Sequence, residues 1–374
     1  MSPPGIAILG AGIFAKEAHL PAIASLGRSN VELKAVYSRS EKSAEQLAVD
    51  AQGILKLDAP PTVYHDENKD SNLDILLARK DISAVIIALP IVTQPSIIRK
   101  SLASGKHVLS EKPVAPDVAA GIDLIREYNE NFKGKGLIWR VAENWEVEPG
   151  YHAAADIIKA GKIGKVTSFN ARVVNHVPKD SKWYKTPWRT IPDYQGGFLL
   201  DGGVHTIAAL RVILPSPMVS LSGYASLNLS YLAPQDTINA VVKSKDGSHG
   251  IVELTWGAPV LSRASEAQKG ISITGTEGWI WIEQTTIGDG QQIFRVTVKV
   301  SEKNEKGEEI GETKVVLDEP VKGVEEELRR FLNAIGGEDD GFGDPYGALK
   351  DVAFIQAALN SNGAPIDLEK LVEY

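Results

Sequence analysis

The sequence predicts an α/β protein of two parts. Residues 1–145 read as a doubly wound parallel sheet, and residues 146–374 as an α+β domain on a large, mainly antiparallel open sheet. Three observations carry this. A glycine-rich loop, GAGIFA, follows the first apolar run. Short continuous apolar runs then alternate with helical spacing, the pattern of a parallel sheet covered on both faces. After Pro149 the runs lengthen and alternate apolar with polar, as strands with one wet face do.

Gly5 to Leu9 is the first expected strand and Val31 to Tyr37 the second. Ala84 to Leu89 (AVIIAL) is continuous and β-branched, as a strand buried on both faces should be. His107 to Leu109 and Leu137 to Val141 follow. Between them AEQLAVDA, NLDILLAR, QPSIIRKSLAS and DVAAGIDLIREYNENF carry helical spacing. Ser71 is placed to cap the second of these, and Asp117 falls in the first turn of the last. Past Pro149, the helix YHAAADIIKAG leads into VTSFNARVV, TINAVVKS, GIVELTW, ISITG, WIWIE, FRVTVKV and TKVVL, expected to form an antiparallel sheet. Asp246-Gly247, Glu277-Gly278 and Glu305-Lys306-Gly307 are hairpin turn signals, and EKNEKGEEIGE reads as a solvated hairpin tip. VEEELRRFLNAI and GALKDVAFIQAALNS close the chain as helices, the last of them free to pack back on the first domain.

Composition narrows the function. The chain has 374 residues, with 40 Lys+Arg against 48 Asp+Glu and a net charge of −8. There is no basic block, so neither nucleic acid nor an anionic membrane is expected as main partner. The absence of cysteine excludes disulfides, thiolate metal sites and a cysteine nucleophile. MSPPGIAILG lacks the basic segment and apolar core of a signal peptide, and no stretch has the apolar length of a membrane span, so a cytoplasmic location is expected.

Gly10, Gly12 and Ala15 fit G-x-G-x-x-G/A, with a strand before and a helix after. Gly10 allows a tight turn, Gly12 lets a pyrophosphate approach the backbone, and Ala15 lets helix and strand pack closely. Ile13 and Phe14 lie in the same loop, and Leu89 and Pro90 at the end of AVIIALP; all four are expected cofactor contacts. At the end of the second strand an NAD enzyme usually carries an acid for the adenosine ribose. Here Tyr37-Ser38-Arg39-Ser40 stands, with Lys42 nearby. Ser38, Arg39 and Lys42 suit a 2′-phosphate, so NADP(H) is the expected cofactor. The alternative is a solvated turn with Glu41 as ribose acid.

Glu111-Lys112-Pro113 closes GKHVLSEKP, which places a lysine at the C-terminal end of a parallel strand, where such sheets bind ligands. Asp201 and His205 in GGFLLDGGVH are four residues apart and share a face if a helix starts there. Gly196 and Gly197 before them suit backbone close to a ligand. The plainer alternative is a helix-capping Asp201 and a satisfied, partly buried His205. No third ligand at useful spacing completes a metal site, and none is expected. Trp183, Tyr184, Trp188 and Tyr194, with Arg189, crowd the preceding loop. They suit a polyhydroxylated or planar substrate, or equally a subunit or domain interface. His152, His176 and His249 have no such company.

With GAGIFA, GKHVLSEKP and GGFLLDGGVH in this order, the chain resembles the glucose–fructose oxidoreductase / inositol dehydrogenase / MocA-like family over nearly its whole length. The resemblance implies a Rossmann first domain and a second domain whose open sheet often pairs subunits, hence a homo-oligomer, a dimer through that sheet. It implies Lys112 at the nicotinamide, His205 as general acid/base, Asp201 on substrate hydroxyls and the lysine, and Glu111 on the nicotinamide-side ribose. Gln94 stands where the family often has histidine, and Glu143-Asn144 falls near the nicotinamide in that pattern. The expected activity is hydride transfer between NADP(H) and the carbonyl or alcohol of a sugar, polyol or related small molecule. Two alternatives share the fold. One is a cofactor-sensing regulatory protein like the galactose-regulon repressor of yeasts, against which the full Lys112, Asp201, His205 set counts. The other is a dehydratase or glycosidase-like relative holding NAD tightly, against which the Ser38-Arg39 turn counts.

Overall fold

The computed structural model describes residues 3–373. The chain forms two compact units: residues up to Asn144 together with Val324–Leu349, and Trp145–Gly323 together with Lys350 onwards.

The first unit holds six strands: β1 Gly5–Leu9, β2 Glu32–Ser38, β3 Thr62–His65, β4 Ala84–Ile87, β5 His107–Glu111 and β6 Trp139–Ala142. All pair in parallel, in the order β3-β2-β1-β4-β5-β6. Strand order therefore reverses between β1 and β4, the point where such sheets open a crevice at the strand C-termini. Every residue of β1 and β4 is buried, which explains their unbroken apolar sequence.

Two local expectations change. Asn72, not Ser71, caps Leu73–Ala78, its side chain accepting from Ile75 N; Ser71 ends a short 3₁₀ turn. Asp117 is the N-cap of Val118–Asn131 and accepts from Ala120 N, one step before the expected first-turn place. Strand β3 was not expected, because TVYH is short and follows two prolines.

The helix Gly323–Ile335 belongs to this first unit from Val324 on. Its Leu328 and Phe331 are fully buried in the same core cluster as Ile6, Ile8, Leu20 and Val36.

The second unit holds nine strands: β7 Val166–Val174, β8 Met218–Ser226, β9 Thr237–Ser244, β10 His249–Thr255, β11 Gly270–Gly275, β12 Gly278–Ile287, β13 Gln291–Lys303, β14 Glu309–Pro320 and β15 Ile366–Asp367. Their order is β14-β13-β12-β11-β7-β10-β9-β8-β15. Hairpins join β9 to β10, β11 to β12 and β13 to β14, so those pairs are antiparallel. Strand β10 meets β7 in parallel, a departure from an all-antiparallel sheet, because the two are not hairpin neighbours. Strand β8 was missed: MVSLSGYAS alternates Ser and Gly where apolar residues were sought.

Alternation gives this sheet two unlike faces. Ile238, Ala240, Val242, Val252, Leu254, Phe169 and Ala171 are buried. The opposite face carries Val241 (59% exposed), Ile251 (49%) and Tyr224, along with the Arg172–Glu253 and Arg295–Asp318 ion pairs, each at 2.7 Å.

Candidate active site

Each unit carries its own set of candidate groups. In the first, GAGIFA leaves β1 and enters a π-helical turn, Ala15–His19, continued by Leu20–Leu26. Gly10 has φ +116°, and a Cβ there would lie 2.1 Å from the Ala88 carbonyl oxygen; only glycine lets the loop pass β4 so closely. Its N–H donates to the Tyr37 carbonyl at 2.8 Å, tying the loop to β2. Gly12 is the opposite case, with nothing within 4 Å of an added Cβ. Ile13 and Phe14 are half-buried in the first turn, whose N–H groups have no partner inside the helix.

Ser38 ends β2, Arg39 is exposed and Ser40 caps the helix Glu41–Leu55, accepting from Ser43 N. Lys42 is exposed one residue into that helix. Glu41 faces the buried His65 imidazole at 3.5 Å. Tyr37 donates to Asp66 Oδ2 at 2.8 Å, and burial together with that carboxylate pushes the phenol pKa well above the usual tyrosine range.

Leu89 and Pro90 follow β4, half-buried. Gln94 opens the helix Gln94–Ala103, is 1% exposed, and among the described residues has no hydrogen-bond partner for either side-chain polar atom. A buried amide with neither function satisfied costs free energy until something bonds it. Glu111 ends β5 and is buried, with Oε1 2.7 Å from His19 Nε2. Lys112 follows it, half-buried, ahead of a cis peptide bond to Pro113. Asn144 begins the short helical turn Asn144–Val147 after β6.

A dinucleotide suits this set. The space over Gly12 is open beside a helix N-terminus, the kind of place that suits a pyrophosphate, and among the described residues the Gln94 amide lacks a partner.

In the second unit, the helix Phe198–Ile213 carries Asp201 in its first turn and His205 one turn later on the same side. The N-cap is Gly197, not Asp201. Gly196 and Gly197 have φ +71° and +50°, and a Cβ on Gly196 would meet Leu359 at 2.7 Å. Their glycine requirement thus comes from the chain itself, where a ligand's approach was expected to impose it. Asp201 is buried and accepts from Arg189 Nε at 2.7 Å. The guanidinium lies 4.0 Å from the Trp188 ring centroid and 5.1 Å from that of Trp183. Trp188 is tilted against Tyr194 at 6.0 Å. Burial, and then the Asp201 charge, push the Tyr194 pKa far above its ordinary value, so this phenol stays neutral.

His205 is half-buried and stacks on Trp145 at 5.5 Å and 28°. Further along the helix, Arg211 bonds Asp351 and Glu146. Burial opposes its charge, but the two carboxylates outweigh it and raise its pKa. His152 and His176 bond the Glu146 and Ala258 carbonyls, and His249 is exposed.

Sequence reasoning passed over two features: the Arg189–Asp201 pair, which spacing does not reveal, and the buried His19. The signal for His19 was its place four residues after Ala15, on the packed face of the helix.

A 3-2-1-4-5-6 parallel sheet with a glycine loop at its switch point defines a dinucleotide-binding class of fold. The chain belongs to the Gfo/Idh/MocA family. Residues 5–133 match the oxidoreductase family model with an NAD-binding Rossmann fold, and residues 151–281 match the family's C-terminal domain. The chain is 40% identical to dehydrogenase FPY6 of Fusarium mangiferae over 368 residues, 96% of each protein. It is 32% identical to a dTDP-3,4-didehydro-2,6-dideoxy-alpha-D-glucose 3-reductase of Streptomyces violaceoruber, over 57% of this chain and 55% of the reductase. Among solved structures, an oxidoreductase from Thermotoga maritima superposes with TM-score 0.79 at 28% identity, covering 99% of both chains.

Proposed function

We propose that the protein is an NADP(H)-dependent oxidoreductase acting on the carbonyl or alcohol of a sugar, polyol or related small molecule. One observation carries the reading: Lys112 stands at the end of β5, and Asp201 and His205 share one side of a helix. The sugar-nucleotide reductase among its relatives supports the substrate class.

In this reading Gly10, Gly12, Ile13 and Phe14 take the pyrophosphate, and Ser38, Arg39 and Lys42 the 2′-phosphate. Arg39 supports that role, since among the described residues its side chain has no ion pair or hydrogen bond and it is exposed. Glu41, turned to His65, is poorly placed to be a ribose acid. Leu89, Pro90, Gln94, Glu111 and Asn144 line the nicotinamide end. The bound cofactor supplies or accepts the hydride. Lys112 stabilises charge on the substrate oxygen. His205 exchanges that oxygen's proton, a task suited to an imidazole near neutrality. Asp201 holds substrate hydroxyls, while Trp183, Trp188 and Arg189 shape the pocket.

Following NADPH oxidation against a panel of sugars, polyols and carbonyl compounds tests this. Turnover of at least one panel member is expected. NADPH binding with no turnover across the panel would move the reading to a regulatory protein.

We infer further that two copies pair through the wet face of the second sheet, where Val241, Ile251 and Tyr224 make an apolar patch with charged neighbours. Sedimentation should give a dimer at micromolar concentration, and Val241→Lys with Ile251→Lys should shift it towards monomer.

A further inference from the structure

One buried imidazole has no part in the reaction above. His19 is fully buried at the end of the π-helical turn that follows the phosphate loop. Such turns are rare overall and are frequent at functional sites. The ring packs edge-on against Phe14 at 5.4 Å, and Nε2 lies 2.7 Å from Glu111 Oε1. A carboxylate only accepts, so Nε2 carries the proton and donates. Glu327, on the helix Gly323–Ile335, is fully buried as well, and a carboxylate oxygen of each glutamate and a ring nitrogen of His19 lie within 4.8 Å of one another.

The spacing is that of a hydrogen bond. Two ligands each ~2.0–2.1 Å from a tetrahedral zinc would be about 3.3 Å apart. Burying an imidazole on a carboxylate is a poor way to gain stability, since an apolar side chain of similar size fills such a place at less cost in desolvation. What the bond does supply is direction. It fixes one oxygen of Glu111 and so the strand end that presents Lys112, and it does so from the helix whose first turn forms the phosphate loop.

We propose that His19 is a positioning residue: it locks the Glu111 carboxylate and thereby couples the phosphate-binding helix to the placement of Lys112. The inference rests on the nucleotide site argued above. The test compares His19→Leu, which removes the donor, with His19→Gln, whose amide N–H can reach the same oxygen. NADPH affinity by fluorescence, the thermal midpoint without cofactor, and kcat are read for each. The ¹⁵N signals of the His19 ring in the cofactor-free protein are read for wild type and Glu111→Gln. Expected are an Nε2–H tautomer that shifts on Glu111→Gln, NADPH binding roughly tenfold weaker and kcat down as much as ~10²-fold in the Leu variant, as for a small misplacement of a reacting group. The Gln variant should recover most of both at an unchanged thermal midpoint. Should the Leu variant not fold, His19→Asn, too short to reach Glu111, replaces it with the same expected losses. Leu and Gln variants that lose affinity and thermal midpoint together, or that both match wild type, would overturn the positioning role. Wild type that binds no NADPH overturns the nucleotide reading, and this inference with it, and is separable from the first failure because wild type itself is then silent.

Discussion

The two sets of candidate groups differ in how finished they are. In the first unit some are open: among the described residues no atom lies within 4 Å of a Cβ built on Gly12, Arg39 has no ion pair and the buried Gln94 amide has no hydrogen-bond partner, whereas Glu111 is held by His19. In the second they are already engaged: Asp201 holds Arg189, Arg189 lies against two tryptophans, and His205 stacks on Trp145. A set built from backbone geometry leaves its valences for a ligand whose shape never changes. A set built from side-chain contacts orients its groups beforehand, and a substrate must compete with the protein's own bonds.

The largest expected effect concerns one residue from each set. Lys112→Met and His205→Ala should each lower kcat by about 10²–10⁴, the typical value of a proton-handling group, while leaving NADPH affinity and folding intact. Single-turnover kinetics beside a binding titration checks this, and near wild-type turnover in both variants would remove the catalytic assignment. Next comes Arg189→Ala. Removing one member of a buried ion pair costs about 3–5 kcal/mol, and both side chains here are little exposed, 13% and 9%. Urea unfolding should register a loss of that order together with loss of turnover. If stability is untouched, the second set is no more self-satisfied than the first. The smallest effect belongs to the open set. Arg39→Ala should cost NADPH about 1.5–3 kcal/mol of binding and leave NADH unchanged, because only the charge-assisted bonds to the 2′-phosphate are lost. Titration with both cofactors reads it, and an unaltered preference would end the NADP assignment.

The same contrast governs what the sequence revealed. The glycine loop was legible because a left-handed φ and a close carbonyl demand one residue type at Gly10. The buried strands β1 and β4 were legible because burial on both faces forces a continuous apolar run. Asp201 and His205 could be placed on one side of a helix from spacing alone. The Arg189–Asp201 bond could not, since it joins the short helical turn Pro187–Thr190 to the next helix across twelve residues of no fixed period. Strand β8 hid behind serine and glycine. Glu327 hid within Glu325-Glu326-Glu327, a run that reads as solvated although its third member is fully buried.

The return of Val324–Leu349 to the first unit has a consequence for how the protein is made. A ribosome that has released every strand of the nucleotide-binding sheet has yet to synthesise Leu328 and Phe331, and with them part of that sheet's core. The apolar surface those side chains cover stays wet until Phe331 has emerged, nearly two hundred residues after the last strand of that sheet. A fragment ending at residue 144 is therefore an incomplete body, and a premature stop before Leu328 injures the unit whose strands are translated first.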